Sequence, residues 1–116
     1  MKILIIEDDR LISLMLTKMV QKMGHEVIAV HAKGEDAITS VNELSVDLIL
    51  MDIMLEGDID GIQTMKTIQM NHTIPVIYIT GNSDESTKNR AADTNFVAYL
   101  IKPVNFSQLQ QIISSL

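Results

Sequence analysis

The sequence predicts an α/β fold in which one five-stranded parallel sheet carries helices on both of its faces. Two observations lead to this prediction. Five short apolar runs, most of them rich in β-branched residues, recur along the chain, and they alternate with stretches that have helical character. Consecutive apolar positions are typical of strands covered on both faces, and five strand–helix units in succession favour right-handed crossovers within one sheet.

The five predicted strands are short and contain almost no polar residues. They comprise Ile3–Ile6, Val27–Val30, Leu48–Met51, Val76–Ile79 and Val97–Ile101. No internal repeat and no Pro-rich or Gly/Ser-rich linker interrupts the alternation of strands and helices. A chain of 116 residues has the size of one domain, so we expect a single domain over residues 1–116.

Four of the five helices are predicted from apolar residues that share one helical face. The first helix is expected to end at Gly24, and Asn105 and Gln108 are placed like a variant capping box at the start of the fifth. The expected buried faces are Leu11, Leu14, Met15, Met19 and Met23; Ala37, Ile38, Val41 and Leu44; Ile62, Met65 and Ile68; and Phe106, Leu109, Ile112, Ile113 and Leu116. The fourth helix, around Asp84–Asp93, is mostly polar.

The composition excludes several classes of protein. With 47% hydrophobic and 21% charged residues, the chain has the composition of a folded domain rather than a disordered tail. The absence of cysteine excludes disulfides, thiolate metal sites and thiol catalysis. A net charge of −6 argues against direct contact with nucleic acid. No apolar run reaches the ~18 residues of a membrane span, so a cytoplasmic protein without membrane contact is expected.

Polar residues follow four of the five predicted strands. They are Glu7-Asp8-Asp9 after the first strand, Asp52 after the third, Thr80-Gly81-Asn82 at the end of the fourth and Lys102-Pro103 after the fifth. In a parallel α/β sheet, the ligand site lies beyond the carboxyl ends of the strands. We therefore expect these residues to converge at one edge of the sheet.

Such a group of acids has a definite chemistry. Carboxylates held ~4 Å apart repel one another by several kcal/mol at an effective dielectric constant near 20, so the site needs a proton or a cation. Hard oxygen ligands in a partly hydrated site favour Mg²⁺. With Lys102 to bind a phosphoryl oxygen, Asp52 can act as a nucleophile and form an aspartyl phosphate.

The motifs at these strand ends resemble the receiver domain of two-component response regulators. They are Ile-Leu-Ile-Ile-Glu-Asp-Asp at 3–9, Asp-Leu-Ile-Leu-Met-Asp at 47–52, Asp60-Gly61, Pro75-Val-Ile-Tyr-Ile-Thr80 and Tyr99-Leu-Ile-Lys102-Pro103. The resemblance covers essentially the whole chain. It implies a flavodoxin-like (βα)5 fold with strand order 2-1-3-4-5.

The resemblance also implies roles for the acidic residues and the lysine. Asp52 would be the phosphoacceptor, Asp8 and Asp52 direct ligands of Mg²⁺, and Glu7 a ligand through water. The backbone carbonyl of Met54 would complete the metal site, and Lys102 would pair with the phosphoryl group. The Lys102–Pro103 peptide bond is expected to be cis.

Other residues would transmit or time the response. Thr80 would move its hydroxyl onto the phosphoryl group, and Tyr99 would be the switch aromatic that turns inward with it. Met54 and Asn82 occupy the positions at which the family tunes hydrolysis of the acyl phosphate. Asp9 is expected to cap the first helix. The segment between Asp52 and Asp60 is one residue longer than usual and lacks the family's proline, which affects access to the site.

The resemblance implies a phosphorylation switch rather than an enzyme with external substrates, because the domain would catalyse only its own phosphorylation and dephosphorylation. The phosphodonor would be a histidine kinase or a histidine phosphotransfer protein. The face made by the fourth helix, fifth strand and fifth helix would contact an output domain or target protein, or a second copy in a homodimer.

Three alternatives can be compared with named residues. A haloacid-dehalogenase-type phosphatase would have a second Asp at the position of Met54. A flavin carrier would have a phosphate-binding loop after the first strand, where Glu7-Asp8-Asp9 would repel phosphate. The remaining alternative is a phosphorylation-independent pseudo-receiver that acts as a protein interaction module, in which one of the key residues would be lost.

Overall fold

The computed structural model describes all 116 residues and contains five strands and five helices in strict alternation. The elements are β1 Lys2–Ile6, α1 Arg10–Lys22, β2 Glu26–His31, α2 Gly34–Glu43, β3 Leu48–Met51, α3 Gly61–Gln69, β4 Val76–Thr80, α4 Glu85–Ala91, β5 Ala98–Ile101 and α5 Phe106–Ser114. All five strands are parallel, in the order β2-β1-β3-β4-β5. The predicted fold class and strand order are confirmed.

The core consists of two layers, one on each face of the sheet. Because successive side chains of a strand point to opposite faces, the three central strands contribute alternate residues to each layer. One layer contains Leu4, Ile6, Ile49, Met51, Val76 and Tyr78 and is covered by α2, α3 and, through Ala91, α4. The other contains Ile3, Ile5, Leu48, Leu50, Ile77 and Ile79 and is covered by α1 and α5. None of the five helices has the length and apolar character needed to cross a membrane.

The two edge strands differ from the sequence prediction, which expected every strand to be covered on both faces. β2 has no fully buried residue, and Val30 is 43% exposed. In β5, Ile101 is 41% exposed and only Leu100 is buried. Both strands have a neighbour on one side only. The apolar runs therefore predict both strands correctly, but they do not show that β2 and β5 lie at the edges of the sheet.

The predicted buried face of α1 was wrong in part: Met19 and Met23 pack against the core as expected, but the rest of the face is rotated about the helix axis. Leu11, Leu14 and Met15 are exposed. The residues that pack against the core are Ile12, Leu16, Met19, Val20 and Met23. Since apolar residues occur on almost every side of this helix, the sequence allows two overlapping stripes, and packing on β1 and β2 selects the second.

Two further residues lie outside the faces predicted for them. Leu44 is 46% exposed because α2 ends at Glu43, which leaves Leu44 as an extended C-cap residue. Leu116 is 51% exposed because α5 ends at Ser114. The remaining predicted residues of α2, α3 and α5 are buried or half-buried.

Side-chain caps fix the points at which the loops from the sheet end and the helices α1, α3 and α5 begin. Asp9 caps α1 as predicted, by accepting from the backbone N–H groups of Leu11 and Ile12. Asn105 caps α5 and accepts from Gln108 N at 3.0 Å. The reciprocal capping box lies elsewhere, at the start of α3, where Asp60 and Gln63 bond to each other's backbone.

Candidate functional site

The backbone ladder continues past the ends of the strands and positions the predicted site residues side by side. Asp52 N donates to Ile6 O at 2.9 Å, and Lys102 N donates to Thr80 O at 2.9 Å. Because these bonds join neighbouring strands in register, Glu7, Asp52 and Lys102 leave the same edge of the sheet. The convergence expected from the sequence is therefore present.

Lys102 connects the two buried carboxylates of this edge. Its Nζ lies 2.9 Å from Asp52 Oδ2 and 2.6 Å from Glu7 Oε1. Asp52 is 5% exposed and Glu7 is 4% exposed, whereas the side chain of Lys102 is 20% exposed. The ammonium thus compensates two carboxylates at once from the more open side of the site. The Lys102–Pro103 peptide bond that follows is cis, as expected.

Three acidic residues form a cluster of metal-ligand type. Glu7, Asp8 and Asp52 each offer a carboxylate oxygen, and these oxygens lie within 4.8 Å of one another. Asp9, which was separated from this group in the prediction, is turned away and caps α1. Three carboxylates face one ammonium, so the cluster has an excess of negative charge that a divalent cation would neutralise.

The contacts of the Glu7 carboxylate also indicate that the residues of this cluster fit a magnesium ion. Glu7 Oε2 accepts a hydrogen bond from Asp9 N at 3.0 Å. Glu7 Oε1 is buried and has only the ion-pair contact with Lys102, which does not have the angles of a hydrogen bond. The ammonium of Lys102 is thus the only group that balances the charge on this oxygen. The hard oxygen donors of the cluster suit Mg²⁺ and its bound water.

The pKa values of the ion pair reflect its burial. Burial raises the pKa of Glu7 from 4.5 to about 7, and this effect outweighs the opposing effect of Lys102. Burial alone would lower the pKa of Lys102, but its contacts with Glu7 and Asp52 outweigh burial and hold that pKa above its usual value. The lysine therefore stays charged, while Glu7 takes up a proton more readily than an ordinary glutamate.

A glycine fixes the backbone of Asp52. Gly61, the first residue of α3, donates its N–H to Ile53 O at 2.8 Å. A Cβ atom at Gly61 would overlap the carbonyl oxygen of Asp52 and approach Ile53 Cα to 2.9 Å. The start of α3 therefore packs directly against the backbone of Asp52, which only a residue without a side chain permits.

The loop between Asp52 and Asp60 turns away from the site in spite of its extra residue. Gly57 provides the turn, with φ of 92°. Glu56 forms an isolated parallel bridge with Lys33, and Leu55 packs against the core. Only Met54 lines the cleft, where its side chain is 63% exposed and its N–H lies 3.4 Å from Asp52 Oδ1. The insertion therefore leaves the cleft open.

Thr80 and Tyr99 meet at one residue, Asn82. Thr80 is fully buried, and its Oγ1 accepts from Asn82 N at 3.2 Å. The Tyr99 hydroxyl donates to Asn82 O at 2.8 Å, and burial followed by the charge of Asp84 raises the pKa of Tyr99. In this structure the threonine hydroxyl is thus engaged by the loop between β4 and α4.

Sequence reasoning missed the connecting part of this site. The sequence connects Asn82 only with hydrolysis of the acyl phosphate, yet its backbone joins Thr80 to Tyr99 and its side chain accepts from Asp84 N at 2.9 Å. Asp84 then caps α4 by accepting from Thr87 N. An N-cap rule could have identified Asp84, because an Asp precedes the helical stretch. The open cleft lined by these loops has a volume of about 760 Å³.

Comparison with known families gives a clear result. The model of the response regulator receiver domain matches residues 3–114. Transcriptional regulatory protein PdtaR of Mycobacterium tuberculosis is 31% identical over 108 residues, which cover 93% of this chain and 52% of PdtaR. Transcriptional regulatory protein CpxR of Escherichia coli K12 is 33% identical over 108 residues, which cover 93% of this chain and 45% of CpxR. The chain spans about half the length of these curated relatives.

Solved structures agree with the family match. The signal receiver domain of a modulated diguanylate cyclase from Desulfovibrio desulfuricans G20 superimposes with a TM-score of 0.92 at 35% identity, covering 98% of this chain and 90% of that one. The receiver domain of sensor histidine kinase PA1611 from Pseudomonas aeruginosa PAO1 gives a TM-score of 0.88 at 26% identity, covering 98% and 94%. That protein has a magnesium ion coordinated in its active-site cleft. Because the family match runs through all five strands and the sheet edge agrees with it, this chain belongs to the response regulator receiver domains of two-component systems.

Proposed function

We propose that this receiver domain is a phosphorylation switch in which Asp52 accepts a phosphoryl group from a phosphohistidine. The donor is a histidine kinase or a histidine phosphotransfer protein. The observation that carries the proposal is the position of Lys102, which joins the buried carboxylates of Asp52 and Glu7 within an acidic cluster. Among the functions considered, only phosphoryl transfer to a carboxylate uses all of these groups.

The transfer step follows from the residues at the edge. A carboxylate oxygen of Asp52 attacks phosphorus, an O–P bond forms, the N–P bond of the phosphohistidine breaks, and its electron pair remains on the imidazole nitrogen. Lys102 leaves Asp52 Oδ2 for a phosphoryl oxygen, which keeps the ammonium paired throughout. Asp8 and Asp52, the Met54 carbonyl and, through water, Glu7 would hold Mg²⁺, which neutralises the phosphoryl oxygens when bound.

The signal leaves the site through the loop between β4 and α4. Phosphorylation adds about −1.5 to −2 charges next to Lys102 and Thr80. The Thr80 hydroxyl gives up its contact with Asn82 N and donates to a phosphoryl oxygen. Since Tyr99 is bonded to the carbonyl of the same Asn82, its ring moves with the loop. The α4–β5–α5 face changes in consequence, and we assign to it the contact with an output domain, a target protein or a second copy.

The test is a measurement of intact mass after incubation with Mg²⁺ and a small acyl phosphate. The expected result is the gain of one phosphoryl group, which Asp52→Asn and removal of Mg²⁺ both abolish. Asp58→Asn is the matched control, because Asp58 is an exposed acid of the neighbouring loop and should leave the gain intact. A folded wild-type protein that gains no phosphoryl group from the acyl phosphate or from a phosphorylated histidine kinase would overturn the proposal. No observation favours the contact-only pseudo-receiver, since the acids and the lysine are all present.

A further inference from the structure

The fourth helix is held in place mainly by polar contacts. α4 has seven residues, of which only Thr87 and Ala91 are buried. Two cations of its last turn reach the flanking elements. Lys88 Nζ lies 5.9 Å from the centre of the Tyr99 ring, and Arg90 Nη2 lies 2.7 Å from Asp60 Oδ2. In a helix with so few apolar anchors, these two contacts supply part of what holds it in position, beside the cap at Asp84 and the bond from Thr94 Oγ1 to Ala91 O.

Asp60 is a fixed partner for the arginine. Its Oδ1 accepts from Gln63 N at 2.9 Å, and its own N–H donates to Gln63 Oε1 at 2.8 Å. The capping box therefore holds the carboxylate at the start of α3 and leaves Oδ2 for Arg90. Because one partner is already ordered, forming the ion pair costs mainly the rotamer freedom of the arginine.

The same segment is packed against the phosphoacceptor. Gly61 follows Asp60 directly and leaves no space for a side chain against the carbonyl of Asp52. Its N–H is bonded to Ile53 O at 2.8 Å. Asp60 is thus rigidly connected to the end of β3, and Arg90 connects that point to α4.

We propose that the Arg90–Asp60 ion pair is a tether that holds α4 in its unphosphorylated position. The tether is a second connection between Asp52 and α4, and it shares no residue with the connection through Thr80, Asn82 and Tyr99. The proposal rests on the proposed function, in which phosphorylation displaces α4. In that case the ion pair opposes the displacement and sets how readily the switch responds.

The strength of the tether is that of a partly exposed ion pair. The side chain of Arg90 is 42% exposed and that of Asp60 is 23% exposed. Pairs of this kind have a modest effect and are weakened by salt. We therefore expect a change of about threefold to fivefold in the opening of α4, not its unfolding.

The first test is amide hydrogen exchange in the unphosphorylated protein. Arg90→Gln should speed exchange across α4 about threefold to fivefold at low salt. Asp60→Asn should have the same effect, because the single oxygen of the amide accepts from Gln63 N and leaves no oxygen for Arg90. The double variant should exchange no faster than either single variant. Lys66→Gln is the matched control, since it removes the long, exposed 3.8 Å pair with Asp93 beyond the end of α4. High salt should raise the amide exchange rate of α4 in the wild type to the rate found in Arg90→Gln.

Two results would overturn the tether. One is unchanged exchange of α4 in Arg90→Gln, and the other is an equal increase in Lys66→Gln. A second readout is the rate of phosphorylation by a small acyl phosphate, which should rise in Arg90→Gln about as much as the exchange rate. Failure of both the wild type and Arg90→Gln to gain a phosphoryl group would contradict the proposed function instead, and the exchange experiment would still decide whether the ion pair holds α4.

Discussion

The Lys102 ammonium lies 2.9 Å from Asp52 Oδ2, although 50 residues separate them in the sequence. The same ammonium lies 2.6 Å from Glu7, so one cation at the sheet edge compensates two buried carboxylates. This arrangement holds a positive charge against the carboxylate that is proposed to be the nucleophile. It also places the lysine where a phosphoryl oxygen on Asp52 would need a partner.

Replacing the lysine should expose the electrostatic cost of the acidic cluster. Lys102→Met leaves Glu7 and Asp52 buried without an ammonium, and the expected loss in the free energy of unfolding is about 2 kcal/mol without Mg²⁺. Saturating Mg²⁺ should recover a large part of this lost stability. Urea denaturation with and without Mg²⁺ measures both effects, and the exposed Lys66→Met provides the control. Equal stability of Lys102→Met and wild type without Mg²⁺ would contradict the account of the ion pair.

Glu7 should make the metal-free protein less stable as the pH rises. Its pKa is about 7 in the folded protein against an ordinary 4.5, so the folded state binds the proton more tightly than the unfolded state. That stabilisation is complete below pH 4.5 and is lost as the pH rises through 7. Glu7→Gln should therefore match wild type near pH 4.5 and exceed it by about 1–3 kcal/mol at alkaline pH.

Urea denaturation of both proteins in the presence of a chelator, over this range of pH, measures the difference. A constant difference between Glu7→Gln and wild type at every pH would show that burial does not perturb this carboxyl.

Met54 should prolong the life of the aspartyl phosphate. Its side chain is apolar, 63% exposed and at the mouth of the cleft, so it cannot orient an attacking water molecule. Met54→Asn supplies a polar group there and should accelerate hydrolysis by up to roughly tenfold. The decay of phosphorylated protein, followed by intact mass after removal of the donor, gives the two rates. Identical rates in the two proteins would eliminate this role for Met54.

Gly61 should tolerate no side chain. Gly61→Ala forces a Cβ atom into the carbonyl of Asp52, which should lower the free energy of unfolding by about 2–3 kcal/mol. Gly81→Ala is a matched control at the same edge, because a Cβ atom there meets nothing within 4 Å. Its effect should stay within about 0.5 kcal/mol. Thermal or urea denaturation compares the two, and a similar small effect in both variants would refute the close packing of α3 on Asp52.

Sequence reasoning succeeded where backbone topology alone determines position. The central strands are continuous apolar runs because they are buried on both faces, and residues that follow parallel strands must meet at one edge. Glu7, Asp52, Thr80 and Lys102 were therefore brought together in the prediction as they are in the structure.

Sequence reasoning failed where side-chain packing decides. The rotation of α1 could not be predicted, because Leu11 and Leu14 form as good an apolar stripe as Ile12 and Leu16. The Arg90–Asp60 pair joins residues 30 positions apart through their side chains, and no periodicity indicates such a contact. The backbone bonds of Asn82 were missed for a similar reason, because they depend on the path of a loop.

The central claim is that Asp52, and no other acid of the cluster, carries the phosphoryl group. Borohydride reduces an aspartyl phosphate to homoserine, so the protein should be phosphorylated with Mg²⁺ and a small acyl phosphate, reduced, digested and examined by peptide mass spectrometry. We predict homoserine at position 52 alone, in a Mg²⁺-dependent yield. Homoserine at position 8, or a phosphoryl group retained on a hydroxyl or a histidine, would contradict the account.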